Sequence, residues 1–188
     1  MTSIQAYLVD FDGTLADTAM ANYLAYAGAL QEVGIALEQQ AFEQEACGRN
    51  WRDFLPALLQ RSGSSADPAA VAARKVSLYR DHVRRIRFNE ALLALLKHRA
   101  SGTKAALVTS ASAANVKAVL ASRDDLGHLF DALVTGDDVA RHKPDPQGYW
   151  LAARQLGVRP ENCLVFEDSD IGMMAGLAFG ALILRVRL

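Results

Sequence analysis

The chain has 188 residues, which is enough for about one to one and a half domains with a buried core. Apolar residues make up 51% and charged residues 22% of the sequence, so the composition excludes intrinsic disorder and fibrous repeats. The 20 Lys plus Arg against 21 Asp plus Glu leave a net charge of -1, which gives no electrostatic reason to expect nucleic acid or an anionic membrane. We therefore expect a small-molecule partner.

The sequence favours a reducing compartment and no membrane segment. The two cysteines, Cys47 and Cys163, lack metal-ligand spacing, and we expect both to be free thiols. The first residues lack the basic and apolar regions of a signal peptide, and the longest apolar stretch, residues 171–184, is shorter than the roughly 20 residues of a spanning helix. We expect a cytoplasmic protein that is a monomer or a weak dimer.

Short apolar runs that end in polar residues predict buried strands over residues 6–9, 105–108, 132–134 and 164–166. Helical periodicity lies between the later runs, over residues 113–121 and 148–156. The apolar stretch 171–184 predicts a buried helix, a stop at Gly180 and a final strand. Strands that alternate with helices favour an α/β fold with a parallel sheet covered on both faces. Ligands of such sheets bind beyond the carboxyl ends of the strands, where the polar residues of this chain gather.

A long helical segment separates the first two predicted strands. Residues 16–85 have helical patterns throughout, which predicts a second lobe in the form of a small helical bundle. The expected breaks inside it are Gly34, residues 47–50 and residues 62–68. We predict a core domain of residues 1–15 and 86–188 and an inserted helical domain of residues 16–85.

Carboxylates cluster after two of the predicted strands. Asp10 and Asp12 follow the first strand, with Gly13 allowing a sharp turn, and Glu167 and Asp168 follow a later one. Like charges at one place are costly unless a cation offsets them, and magnesium prefers carboxylates together with phosphate and water. The sequence therefore predicts a magnesium site, in which Asp168 is a better ligand than Glu167, whose role is to orient its neighbours.

An ammonium and several hydroxyls complete the set. Lys143 lies in a proline-stiffened turn, and Thr109 and Ser110 end a strand ahead of a helix, where hydroxyls and free N–H groups suit an anion. His142, beside Lys143, is the one histidine of the four that merits a test. A nucleophilic carboxylate, a second acid, a cation site, an ammonium and a hydroxyl together suit phosphoryl transfer.

These groups, in this order, resemble the four motifs of the haloacid dehalogenase superfamily of phosphotransferases. The matching positions are Asp10, Asp12, Gly13 and Thr14 for the first motif, Thr109 for the second, Lys143 for the third, and Glu167 with Asp168 for the fourth. The family fold is a Rossmann-like α/β core. The helical insertion after the first motif resembles the subgroup with a helical cap, which includes β-phosphoglucomutase and sugar phosphate phosphatases, some of them acting on fructose 1-phosphate.

The resemblance implies a role for each matching residue. Asp10 would attack phosphorus to form an aspartyl phosphate, and Asp12 would protonate the leaving oxygen and then accept a proton from water. Magnesium would be held by Asp10, by the backbone carbonyl of Asp12 and by Asp168. The phosphoryl oxygens would contact Lys143 and Thr109, with Ser110 as the alternative hydroxyl. The candidate substrate contacts on the cap are Arg49, Trp51 and Arg52.

The sequence departs from β-phosphoglucomutase in one place. Relatives of that enzyme commonly present a glutamate and a histidine to the substrate after the first motif, whereas this chain has Met20 and Asn22, of which Asn22 is a candidate substrate contact. The leading hypothesis is therefore a magnesium-dependent hydrolase of a small phosphorylated metabolite, such as a sugar phosphate, with a phosphosugar mutase as the alternative. A phospho-aspartate switch or an inactive binding module is the hypothesis from another class. Dehalogenation is disfavoured because it requires neither a metal nor the acid at Asp12.

Overall fold

A computed structural model describes residues 3–46, 49–186 and 188 of the chain. The strands are β1 Ala6–Val9, β2 Ala16–Asp17, β3 Arg87–Phe88, β4 Lys104–Val108, β5 Ala132–Val134, β6 Cys163–Glu167 and β7 Leu182–Arg185. The α-helices are α1 Ala19–Gln31, α2 Gln39–Glu45, α3 Trp51–Arg61, α4 Pro68–Tyr79, α5 Glu90–Lys97, α6 Ala113–Leu120, α7 Gln147–Leu156 and α8 Asp170–Phe179. Short 3₁₀ helices span Arg80–Arg85 and Pro160–Asn162.

Five strands form one parallel sheet in the order β5, β4, β1, β6, β7. The first strand of the chain lies at its centre, and Val9 is level with Leu107 on one side and Phe166 on the other. Because the strands are parallel, the residues that follow β1, β4 and β6 emerge side by side at one edge. The predicted α/β class with a parallel sheet is confirmed.

Both faces of the sheet are buried, as the apolar runs predict. Val9 belongs to one apolar cluster with Phe11 and Leu107, and Leu8 belongs to a second cluster with Val165 on the opposite face. This alternation follows from the two-residue period of a strand, which sends successive side chains to opposite faces. The two clusters hold the central strand rigidly, so the residues directly after it have fixed positions.

The helices α1 to α4 pack around an apolar cluster of their own. Its members include Tyr26, Leu30, Phe42, Leu55 and Leu59, all of them buried. This cluster is separate from the two that flank the sheet. It supports the proposed helical lobe of residues 16–85, for which the limits stay a proposal.

The prediction that residues 16–85 are helical throughout is wrong at its first residues. Ala16 and Asp17 form β2, which pairs antiparallel with Phe88 and Arg87 of β3. The guanidinium of Arg87 also donates to Asp17 over 2.7 Å. The two chain passages between the sheet and the lobe therefore lie side by side, and each satisfies the backbone groups of the other. Two residues are too few for a periodic pattern to be visible in the sequence.

The chain after residue 169 has the predicted order of helix, glycine stop and strand. Ser169 accepts a hydrogen bond from the Gly172 N–H at the start of α8, and Gly180 ends that helix with φ of 91°. Only glycine adopts such a left-handed conformation without strain. Among the residues described, no helix combines the length and apolar character required to cross a bilayer. Cys163 is a buried free thiol, and the predicted turn at Cys47 and Gly48 lies outside the described residues.

Candidate active site

The register of the sheet brings three of the predicted residues to one point. Asp10 follows β1, Thr109 follows β4 and Asp168 follows β6, and these three strands are neighbours. Lys143 arrives from the loop between β5 and α7, and its Nζ lies 2.6 Å from Oδ1 of Asp10. The same ammonium donates to the carbonyl oxygen of Val108 over 3.1 Å. Residues far apart in the sequence thus surround the carboxylate of Asp10.

Glu167 is the most deeply buried carboxylate of the site, with no exposed surface. It accepts hydrogen bonds from the ammonium of Lys143 and, over 2.8 Å, from the hydroxyl of Tyr149. Its other oxygen lies 3.2 Å from the Ser169 hydroxyl. A Cβ at Gly172 would lie 1.9 Å from Oε1 of Glu167, so only glycine leaves room for this side chain. Glu167 therefore contacts the Lys143 ammonium from a position that the surrounding groups fix.

Burial and like charge make this corner electrostatically costly. Burial raises the pKa of Asp10 well above its usual value, the charge of Glu167 raises it further, and Lys143 only partly offsets both. Burial alone would lower the pKa of Lys143, but its acidic neighbours raise that pKa well above the usual range. Burial, followed by the charge of Glu167, also raises the pKa of Asp168. One ammonium is thus shared among three carboxylates.

The donor set fits a hard divalent cation. One carboxylate oxygen from each of Asp10, Glu167 and Asp168 lies within 4.8 Å of the others, which is close enough for a common ligand. Asp168 is oriented by the Thr14 hydroxyl, 3.1 Å from its Oδ1. A Cβ at Gly13 would lie 2.3 Å from Asp168 Oδ2, so the backbone after the first strand can approach this carboxylate only as glycine. A bound cation would offset the excess negative charge.

Asp12 lies beside this cluster and faces the helical lobe. Its Oδ1 accepts hydrogen bonds from the hydroxyl of Thr18 and, over 3.2 Å, from the amide of Asn22. Its Oδ2 lies 3.3 Å from the hydroxyl of Thr109. All three partners are neutral groups, whereas Asp10 is paired with an ammonium. The two aspartates of the first motif therefore have different environments, which suits two different tasks.

A cavity of about 360 Å³ lies between the sheet edge and the lobe. Its lining includes Asp12, Asn22, Arg49, Asn50, Trp51, Lys75, Ser110 and Asp168. Arg52 lies elsewhere: its guanidinium stacks 4.6 Å from the Trp51 ring centroid and lies 3.6 Å from Asp137. Of the candidate cap contacts, the structure thus places Arg49 and Trp51 at the cavity and Arg52 outside its lining.

Lys75 is a site residue that the sequence analysis missed. Its side chain is 3% exposed, its Nζ donates to Oδ1 of Asn22 over 2.5 Å, and it lies between the rings of Tyr26 and Tyr79 at 4.8 and 4.4 Å from their centroids. Burial lowers the pKa of Lys75 to about 7. The signal was available, because Lys75 is four residues after Val71 and four before Tyr79, on the apolar face of its helix.

Geometry of this kind defines a phosphoryl-transfer site at the carboxyl edge of a parallel sheet, and comparison with known proteins identifies its family. The model of the haloacid dehalogenase-like hydrolases matches residues 4–180. The chain belongs to that family. It is 32% identical over 181 residues to fructose-1-phosphate phosphatase YqaB of Escherichia coli, covering 96% of this chain and 95% of the relative.

Two further comparisons agree. Hexitol phosphatase A of Escherichia coli is 32% identical over 187 residues, covering 97% of this chain and 82% of the relative. The crystal structure of CbbY from Rhodobacter sphaeroides in complex with phosphate superposes with a TM-score of 0.88 at 25% identity, covering 98% of this chain and 87% of that one. The family and its phosphatase members together make this protein a phosphoric monoester hydrolase, and the predicted family and enzyme class are confirmed.

Proposed function

We propose that the protein is a magnesium-dependent phosphatase that hydrolyses a sugar phosphate, or a closely related polyol phosphate, through an aspartyl phosphate on Asp10. One observation carries the proposal. Asp10 follows the central strand, and its Oδ1 lies 2.6 Å from the Lys143 ammonium. Asp12 accepts hydrogen bonds from neutral donors and lines the cavity. A nucleophile beside a fixed cation and a separate acid beside the substrate space are what two-step hydrolysis of a phosphate ester needs.

The first step transfers the phosphoryl group to the protein. Lys143 and Thr109 bind the phosphoryl oxygens, and an oxygen of Asp10 forms a bond to phosphorus as the bond to the sugar oxygen breaks. Asp12 gives its proton to that leaving oxygen, so the product departs as an alcohol. In the second step water gives its proton to Asp12 and attacks phosphorus. The bond between Asp10 and phosphorus breaks, and inorganic phosphate leaves.

Magnesium, when bound, supplies positive charge to the phosphoryl oxygens. The ligands that the resemblance implies are Asp10, Asp168 and the backbone carbonyl of Asp12, and the carboxylate cluster adds Glu167 to the candidates. Lobe residues line the cavity, and they would limit the access of bulk water to the bound substrate. This part of the proposal predicts that activity is lost on chelation and restored by Mg²⁺.

The substrate class rests on the cavity and on the relatives. A volume of about 360 Å³ suits a hexose- or hexitol-sized molecule, and polar side chains from both lobe and core line it. Two similar enzymes are named as a fructose-1-phosphate phosphatase and a hexitol phosphatase. We propose Asn22, Arg49 and Ser110 as substrate contacts, with Arg52 acting at the rim.

Hydrolysis is favoured over a mutase reaction. A mutase needs groups that hold and redirect a bound sugar. At the two positions where relatives of β-phosphoglucomutase commonly have a glutamate and a histidine, this chain has Met20, which is 47% exposed, and Asn22, whose amide contacts Asp12 and Lys75. Neither side chain exchanges protons near neutral pH. Water attack requires only Asp12. A mutase would yield an isomeric phosphate in place of free phosphate.

The setting of the enzyme is also part of the proposal. The near-neutral charge and the buried thiol of Cys163 support a cytoplasmic monomer or weak dimer that acts on a small molecule, without a nucleic-acid or membrane partner. Burial raises the pKa of that thiol to about 11, which keeps it unreactive.

The test is a panel of phosphorylated sugars and polyols assayed for free phosphate, with Mg²⁺ and with a chelator. We expect the Asp10→Asn variant to lose activity by a factor of more than about 1,000, because an amide is a poor nucleophile for phosphorus. Asp17→Asn is the matched control, since Asp17 pairs with Arg87 away from the cavity. Parental activity in the Asp10→Asn variant would exclude the aspartyl phosphate, and an isomeric product would establish the mutase.

A further inference from the structure

The first turn of α3 docks onto the core at a second place, away from the nucleophile. Asn50, which is 2% exposed, donates from its amide to the carbonyl oxygen of Ser110 over 2.9 Å. A Cβ at Gly136 would lie 2.3 Å from the Ser110 oxygen and 2.4 Å from the Asn50 amide nitrogen. The close approach thus depends on glycine. This turn also carries Trp51, so its docking sets one wall of the cavity.

His142 joins the same turn to the core through both of its ring nitrogens. Its Nδ1 lies 3.1 Å from Oδ2 of Asp53 on α3, and its Nε2 lies 3.2 Å from the carbonyl oxygen of Gly136. The imidazole side chain is only 8% exposed. Both partners accept hydrogen bonds and neither can donate one. A neutral imidazole has a single N–H and leaves one partner unpaired, whereas an imidazolium donates to both.

The other charges around His142 have partners of their own. On α3, Arg52 lies 3.6 Å from Asp137 of the core. On the loop that carries His142, Arg141 pairs with Asp145 over 2.7 Å. The next residue, Lys143, donates to the carboxylates of Asp10 and Glu167. Among the described residues, Asp53 is the carboxylate that lies within 4 Å of the imidazole.

We propose that His142 and Asp53 are positioning residues, which hold the cavity wall formed by Arg49 and Trp51 against the core. Neither residue lines the cavity, so each acts through the wall that it fixes. The kinetic part rests on the proposed phosphatase function, and the docking itself does not. Loss of either side chain opens the bridge between α3 and the core, so the wall is held more weakly.

The decisive comparison is Asp53→Asn with Asp53→Ala. An amide at position 53 can donate to Nδ1 while Nε2–H donates to Gly136, so Asp53→Asn keeps the bridge and Asp53→Ala removes it. We expect Asp53→Ala to raise KM for a sugar phosphate about fivefold with kcat within about twofold, and Asp53→Asn to keep the wild-type KM. His142→Ala is expected to raise KM to the same extent as Asp53→Ala. His98→Asn, at the exposed end of α5, is the matched control and keeps the wild-type KM.

A second measurement does not depend on activity. In a Trp150→Phe background, Trp51 is the one remaining tryptophan and reports on the wall. We expect its fluorescence to change on addition of Asp53→Ala and to stay unchanged on addition of Asp53→Asn. A wild-type KM in Asp53→Ala, or fluorescence that ignores that substitution, would overturn the proposal. Absence of phosphatase activity with the fluorescence change intact would refute the proposed function alone.

Discussion

The two sides of the cavity are built by different means. On the core side, Asp10, Thr109 and Asp168 follow neighbouring strands, so the hydrogen-bonded register of the sheet fixes their distances. On the lobe side, Asn22 and Lys75 lie on different helices and meet only because the faces of those helices pack together. The core side is thus specified by backbone pairing, and the lobe side by side-chain packing. Residues positioned by backbone pairing form motifs that a sequence shows, whereas contacts made by packing between helices largely do not.

The two sides also differ in charge. The core corner concentrates three carboxylates around one ammonium, whereas the lobe side has a single buried ammonium near neutral tyrosines and an amide. Substitutions on the core side should therefore affect the chemistry most strongly. Those on the lobe side should affect stability and binding.

The largest expected effect is the loss of turnover when the ammonium of Lys143, on the core side, is removed. Lys143→Met removes the charge that faces both Asp10 and Glu167 and that we propose to bind the phosphoryl oxygens. We expect turnover to fall by a factor of about 100 to 1,000. The measurement is steady-state phosphate release at saturating substrate. Lys117→Met, on the exposed side of α6, is the control and should match the wild type. A loss below tenfold would show that the ammonium does not act on the transferred group.

A smaller effect is expected at Gly172, where the absence of a side chain leaves space for the Glu167 carboxylate. Gly172→Ala would place a methyl group in the space of the Glu167 carboxylate, so we expect a destabilisation of about 1–3 kcal/mol and a turnover reduced more than tenfold. Gly127→Ala is the matched control, because no atom lies within 4 Å of its Cβ position. Thermal unfolding and phosphate release on the same samples test this. Wild-type values for both would mean that Glu167 is free to move.

The contrast between backbone pairing and side-chain packing explains which features the sequence could predict. The apolar run before Asp10 predicted the first strand, and Gly180 predicted the end of the last helix. The central position of that strand in the sheet was not predicted. The β2–β3 ribbon stayed hidden because its strands have two residues each and pair across the whole lobe. Lys75 and Asp53 were missed because their partners, Asn22 and His142, lie 53 and 89 residues away in the chain. Spacing along one helix shows its buried face but not what that face meets.

The last effect concerns the lobe ammonium and is expected in stability rather than in turnover. The pKa of Lys75 falls from 10.5 to about 7 on folding, so between these pH values the unfolded chain binds more protons than the folded one. Stability should therefore rise with pH from about 7 to about 10, and the penalty present at neutral pH amounts to a few kcal/mol. Lys75→Met keeps the aliphatic stem between Tyr26 and Tyr79 and removes the charge. We expect Tm to increase by several degrees at pH 7 and to match the wild type near pH 10.

Lys117→Met again serves as the control, since an exposed lysine has no such penalty and its removal should leave Tm unchanged at both pH values. If Lys75→Met instead lowers Tm at pH 7, then the hydrogen bond to Asn22 and the contacts with the two tyrosine rings outweigh the cost of burial. In that case the ammonium of Lys75 would stabilise the lobe side, as the ammonium of Lys143 offsets the carboxylates of the core side. The two sides of the cavity would then depend on the same kind of interaction, a buried ammonium with its partners.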